Sequence, residues 1–257
     1  MAQGGTTITN PRTTSATADR ETGEQRASAT GTSERPSPGP TPRQQVGDAL
    51  RRTPARIHVG ITAAVAATVA AVLTQPWMTP TDLLRDSQAV AAAHGDSSPA
   101  YGIVSNLGIV VLVMAAGTVV AAMAHARPST GFRRPLAWGL ALSLVFALDD
   151  LLLLHETAAF GPGSGTVLAA AYAVGFVAFA VRFRVTIIDR LDPALLIVAF
   201  ASLGASAGID VLVEPATRLS VIAEDGAKLL GVLAWSAFVV RAAFASLRAD
   251  RTDRTSV

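Results

Sequence analysis

The chain has 257 residues, half of them apolar, only 16% charged, and no cysteine. Mean hydropathy is +0.41 although residues 1–50 are polar, so the remainder is too apolar for a soluble globular domain. The missing thiols exclude disulfides, thiolate-zinc sites and CxxC redox chemistry, and no nucleotide-binding motif stands in a fitting context.

Residues 1–52 are rich in Ser, Thr, Pro, Gly and Arg. Such a segment buries too little surface to offset its ordering entropy, and a disordered tail is expected. It has no apolar core before Ile57 and does not read as a secretory signal. From there uncharged stretches set the architecture. Val59 to Thr81, Ser97 to Ala126 and Thr157 to Val181 run 23, 30 and 25 residues without a charge, each longer than the roughly 20 that cross a bilayer. Three more are interrupted: Pro135 to Leu148 ends at Asp149-Asp150, Pro193 to Ile209 ends at Asp210, and Leu229 to Val240 lies between Lys228 and Arg241. These span only by taking charges into the membrane. The expected fold is all-α: a polytopic bundle of six transmembrane helices over residues 53–248, with a short C-terminal tail at 249–257.

With the N-terminus inside, 18 of the 21 basic residues fall on the cytoplasmic side, leaving Arg85, Arg218 and Lys228 outside. This positive-inside bias predicts both termini in the cytoplasm and a plasma-membrane location. The basic pI then reflects topology and anionic lipid, not nucleic acid. Membrane lipids are the expected partners; a cytoplasmic partner for the tail and a homo-oligomer remain open. In the longest outer connection, Thr79-Pro80-Thr81-Asp82 reads as a helix start. Leu83, Leu84, Val90 and Ala91 then share one face of a short interfacial helix over the outer mouth.

The acids gather at that same side: Asp149, Asp150, His155 and Glu156 on the third segment, Asp210 and Glu214 on the fifth, Glu224 and Asp225 with Lys228 on the sixth. Ionisable groups at membrane depth cost on the order of 2.5–3.5 kcal/mol each, so they normally face a partner or a water-filled cavity. Asp149 and Glu156 share a helix face, whereas His155 lies off it. Glu224 and Lys228 are spaced to pair along one helix. Lys228 is the one lysine against twenty arginines, and a compact ammonium is chemically distinct from guanidinium.

Carboxylates with one histidine favour a hard or borderline divalent ion, Mg, Mn, Ca or Fe. The reading they support is a metal-dependent membrane hydrolase or lipid-modifying enzyme opening outward. Asp150, His155, Asp210 and Asp225 would be ligands, Asp149 or Glu224 the general base, and Lys228 the balancing charge, with Glu156 and Glu214 as secondary candidates. The alternatives are a proton- or cation-coupled transporter built on the same residues and an ion- or pH-responsive membrane sensor. Gly204-Ala205-Ser206-Ala207-Gly208 matches G-x-S-x-G but lacks a strand–turn–helix context and is read as a small-residue packing face.

Overall fold

A computed structural model describes residues 41–125, 130–154, 164–213 and 217–255. Of these, 86% are helical and none lies in a strand. Residues 1–40 of the expected tail lie outside the described residues, as do His155, Glu156 and Glu214. The tail boundary differs from expectation, because helix α1 occupies Pro42–Leu50. Its start is explained locally: Pro42 holds the first turn, and Thr41 and Gln44 form a reciprocal capping box.

Six helices are long and apolar enough to cross a membrane: α2 (Ala55–Thr74), α5 (Ile103–His125), α6 (Thr130–Leu152), α7 (Ser164–Arg182), α9 (Pro193–Leu212) and α10 (Arg218–Thr255). Valines at 110, 113, 174, 177 and 181 and Met114 are exposed on α5 and α7. A soluble monomer rarely displays apolar surface on that scale. The chain is an integral membrane protein. Three shorter helices complete it: α3 (Pro80–Leu84), α4 (Ser87–His94) and α8 (Arg184–Arg190).

Helix α10 is the axis of the bundle, packing on α9, α5, α2, α3 and α6. Its 38 residues correspond to about 57 Å, so it outruns the hydrocarbon core even though its longest uncharged run is short. Trp235 sits fully buried among Phe176, Phe179, Phe200 and Phe238. Its indole N–H donates to Ser143 Oγ at 2.9 Å, and that hydroxyl donates to the Gly139 carbonyl at 2.8 Å. One α6 hydroxyl thereby satisfies the buried indole and is itself satisfied by its own helix.

Helices α9 and α10 approach closely at Gly231, where an added Cβ would stand 2.6 Å from Leu203 Cγ and 3.0 Å from Leu203 N. At Gly204 and Gly208 of the expected packing face an added Cβ meets nothing within 4 Å, whereas Ser206 between them is buried. The small residue in contact with α9 here is Gly231 on α10.

At one end of the bundle the chain converges on buried Asp192, just before α9. Arg241 binds it with two prongs, Nε to Oδ2 at 2.8 Å and Nη2 to Oδ1 at 3.0 Å, and Thr53 Oγ1 donates to Oδ1 at 3.0 Å. Arg52 Nη1 donates to the Leu191 carbonyl at 2.8 Å, fastening the entry to α2 at this arginine end.

Candidate functional site

The opposite, acidic end is covered by α3 and α4. Thr79 caps α3 through the Asp82 amide, and Leu83, Leu84 and Val90 are buried. The expected interfacial helix is thus two helices, broken where Arg85 turns to extended backbone. The break seats Asp86, buried, where Ser105 Oγ of α5 donates to its Oδ1. Gly102 accommodates the return of the chain. Its φ is +62°, and an added Cβ would lie 2.4 Å from Ser87 N and 2.7 Å from the Arg85 carbonyl. Gly102 N–H donates to the Asp82 carbonyl at 2.8 Å, and Gln88 Nε2 donates to the Leu151 carbonyl at 3.0 Å, tying the cap to α6.

The rim of the cap is a polar chain. His94 Nε2 and Asp82 Oδ1 are 3.1 Å apart, the His94 ring stacks on Tyr101 at 5.5 Å, and the Tyr101 hydroxyl donates to Asp96 Oδ1 at 2.8 Å. Partial burial pushes the Asp82 carboxyl up, but hydrogen bonds from His94 and Thr79 outweigh it and hold the group below its ordinary value. The hydrogen bond to Asp96, and then burial, raise Tyr101 above its ordinary value.

Beneath the cap, Lys228 of α10 meets Asp150 of α6, Nζ to Oδ1 at 2.9 Å, with the Asp150 side chain 3% exposed. Lys228, Asp150 and Asp225 line one cavity of about 20 Å³ with Ser105, Leu84 and Val232. That volume holds about one water. Asp86 and Asp225 lie within electrostatic reach of Lys228, and Arg85 within reach of Glu224 and Asp225. Asp149 is buried beside Asp150, with Tyr172 of α7 as its neighbour. Leu153, which follows α6, has φ +50°, and the Leu154 amide donates to the Asp149 carbonyl at 3.3 Å. A buried leucine thus occupies the left-handed closing position usually given to glycine, one turn from the ion pair.

Of the residues singled out from sequence, the structure gathers Asp150, Asp225 and Lys228 at one centre, with Glu224 half-buried at its edge and Asp149 buried next to Asp150 but toward Tyr172. Asp210 is exposed at the end of α9; it reaches Glu224 electrostatically but does not line the cavity. Lys228 pairs across helices with Asp150 instead of along its own helix with Glu224. Among the described residues no three histidine or carboxylate side chains are arranged to hold a metal ion. Asp86, Ser105 and Tyr172 are members that sequence reasoning passed over. The available signal was Asp86-Ser87, a helix-start pair inside an otherwise apolar cap segment.

Helices of this length, an apolar exterior and charged groups enclosed between them define a polytopic membrane protein with a buried ionic centre. The chain belongs to the family described as domain of unknown function (DUF8692), whose model matches residues 59–242. The matched stretch takes in the buried centre and the Asp192–Arg241 clamp and leaves out α1. No curated protein and no solved structure matches the chain.

Proposed function

We propose that this protein is a proton-coupled membrane carrier whose proton-exchange centre is Lys228 with Asp150, Asp225, Asp86 and Asp149. One observation carries the reading. Among the described residues, the carboxylates Asp86, Asp150, Glu224 and Asp225 lie within electrostatic reach of Lys228 or Arg85, with buried Asp149 next in sequence to Asp150. In a low-dielectric site like charges at such spacing favour ionising in turn rather than together, which suits a centre that binds and releases protons. The small cavity of about 20 Å³ suits a water or a proton in transit. A metal-dependent hydrolase has less support, since Asp150 is committed to Lys228 and the cavity is far smaller than a lipid headgroup.

The arginine bias, 18 of 21 basic residues, supports both termini in the cytoplasm and the carboxylate centre near the outer face of the plasma membrane. Because the chain has no cysteine, single cysteines placed at Ser97 and Ser256 report sidedness by reaction with an impermeant maleimide. Modification of Ser256→Cys from outside would reverse the orientation.

The functional test uses the full chain in phosphatidylcholine vesicles containing a pH-sensitive dye, with a potassium diffusion potential imposed. Wild type should move protons, and Lys228→Met and Asp225→Asn should not. Lys228→Arg should also fail, because a planar guanidinium does not fit where an ammonium does. No flux from folded wild type overturns the carrier. If detergent-solubilised protein still takes up protons on a pH jump, the same centre is a pH-responsive sensor.

A further inference from the structure

A second feature at the acidic end shares Arg85 with the proton-binding centre but opens outside the bundle. An open groove of about 1020 Å³ runs between the end of α2, the cap and the start of α10. Its walls include Leu73 and Trp77 from the α2 end, Arg85 and Asp82 from the cap, and Arg218 and Val221 from α10. Lys228 is paired inside the bundle. The other two basic side chains that the sequence assigns to this side, Arg85 and Arg218, both open into this groove. Asp82 shares the wall as an ionised carboxylate turned to His94 at 3.1 Å, so the three charged side chains leave the groove one net positive charge.

The position of the groove selects its occupant. Helix α2 has Val72 as its buried residue, so its flank is open to acyl chains, and Leu73 at its end is 44% exposed. Trp77 follows, 84% exposed, in the interfacial place where indoles settle at headgroup level. A ligand arriving from the bilayer would meet apolar surface first and two guanidiniums after it. Guanidinium forks match phosphate oxygens and are weakly hydrated. The geometry points to a binding site for the phosphate headgroup of an anionic phospholipid, held by Arg85 and Arg218 with its acyl chains along Leu73 and the flank of α2.

The test titrates the full-length protein, in uncharged detergent, with dibrominated phosphatidylglycerol or dibrominated phosphatidylcholine. The difference in fluorescence quenching between wild type and Trp77→Phe isolates the groove. One net positive charge at the groove predicts a preference for phosphatidylglycerol of roughly fivefold or more. The double variant Arg85→Gln/Arg218→Gln should lose that preference. Arg133→Gln/Arg134→Gln, changed at exposed positions of α6, should keep it. Equal quenching of wild type by the two lipids, or an unchanged preference in the groove variant, overturns the site. Displacement of the brominated lipid by glycerol phosphate as effectively as by intact phosphatidylglycerol would make the ligand a soluble phosphate and overturn the lipid assignment.

Discussion

Replacing Gly102 by alanine should open the cap while leaving the bundle folded. Two costs arise at this position. An L-residue at φ +62° pays on the order of 1–2 kcal/mol for the left-handed region. The new methyl would also stand 2.4 Å from Ser87 N, 2.7 Å from the Arg85 carbonyl and 2.9 Å from Ser87 Cα, about 1 Å inside ordinary contact. All three are backbone atoms, so no rotamer change relieves them, and α4 must retreat. Overpacking of that kind costs about 1–3 kcal/mol, giving roughly 2–5 kcal/mol in all. A two-helix cap opens locally at less than the global unfolding free energy, so this penalty falls on it first. Hydrogen exchange of the full chain in uncharged detergent should show amides over 80–94 exchanging roughly thirtyfold faster or more, with α9 and the Trp235 region unchanged. Gly102→Asn, which tolerates the left-handed region but carries the same Cβ, should behave almost as badly. Unaltered exchange over 80–94, or simultaneous loss of protection in every span, would refute the reasoning.

Lys228→Met and Asp150→Asn should each lower the thermal unfolding midpoint, Lys228→Met the more, because it leaves a buried carboxylate without its ammonium, a loss of about 3–5 kcal/mol. The double variant should be milder than the sum, and strict additivity in reversible unfolding would show that the 2.9 Å pair carries no coupling. Gly231→Ala should destabilise by about 1–3 kcal/mol and Gly204→Ala should not, since only the former meets Leu203; the reverse order in detergent-unfolding midpoints would invert the α9–α10 contact. Protection of the cap should be bounded in pH. Asp82 is held below its ordinary value of 3.8, so its contribution is present above that pH and lost as pH falls through the folded value. Tyr101 is raised above 10.0, so its contribution is present below that pH and lost as pH rises further. Exchange over 80–94 that fails to accelerate at both extremes would exclude the rim chain as a latch.

The six spans were legible because the signal is one-dimensional: a run without charge either covers the bilayer or does not, and helix α10 shows how a short run is extended by pairing its flanking charges. The concentration of acids at one end was legible for the same reason. What the sequence does not carry is the rotation of each helix about its axis. Asp210 and Asp150 end their runs in the same way, yet one is exposed and the other is 3% exposed against Lys228. The rotation of α9 that brings Leu203 to Gly231 leaves Gly204 and Gly208 in open space while burying Ser206. Lys228 follows suit: an i, i+4 partner was visible in Glu224, but a buried ammonium is better served by a carboxylate arriving from another helix, since that pair also excludes water. The Asp192–Arg241 clamp was missed because its members lie 49 residues apart and each has an ordinary local explanation, an acid before a proline and an arginine near a membrane face. The two ion pairs therefore sit within α10 on either side of the Trp235 core, with 12 residues between Lys228 and Arg241, or about 20 Å of helix. Each joins α10 to a segment distant in sequence, Asp150 of α6 and Asp192 before α9, which is why neither pairing could be read from local spacing.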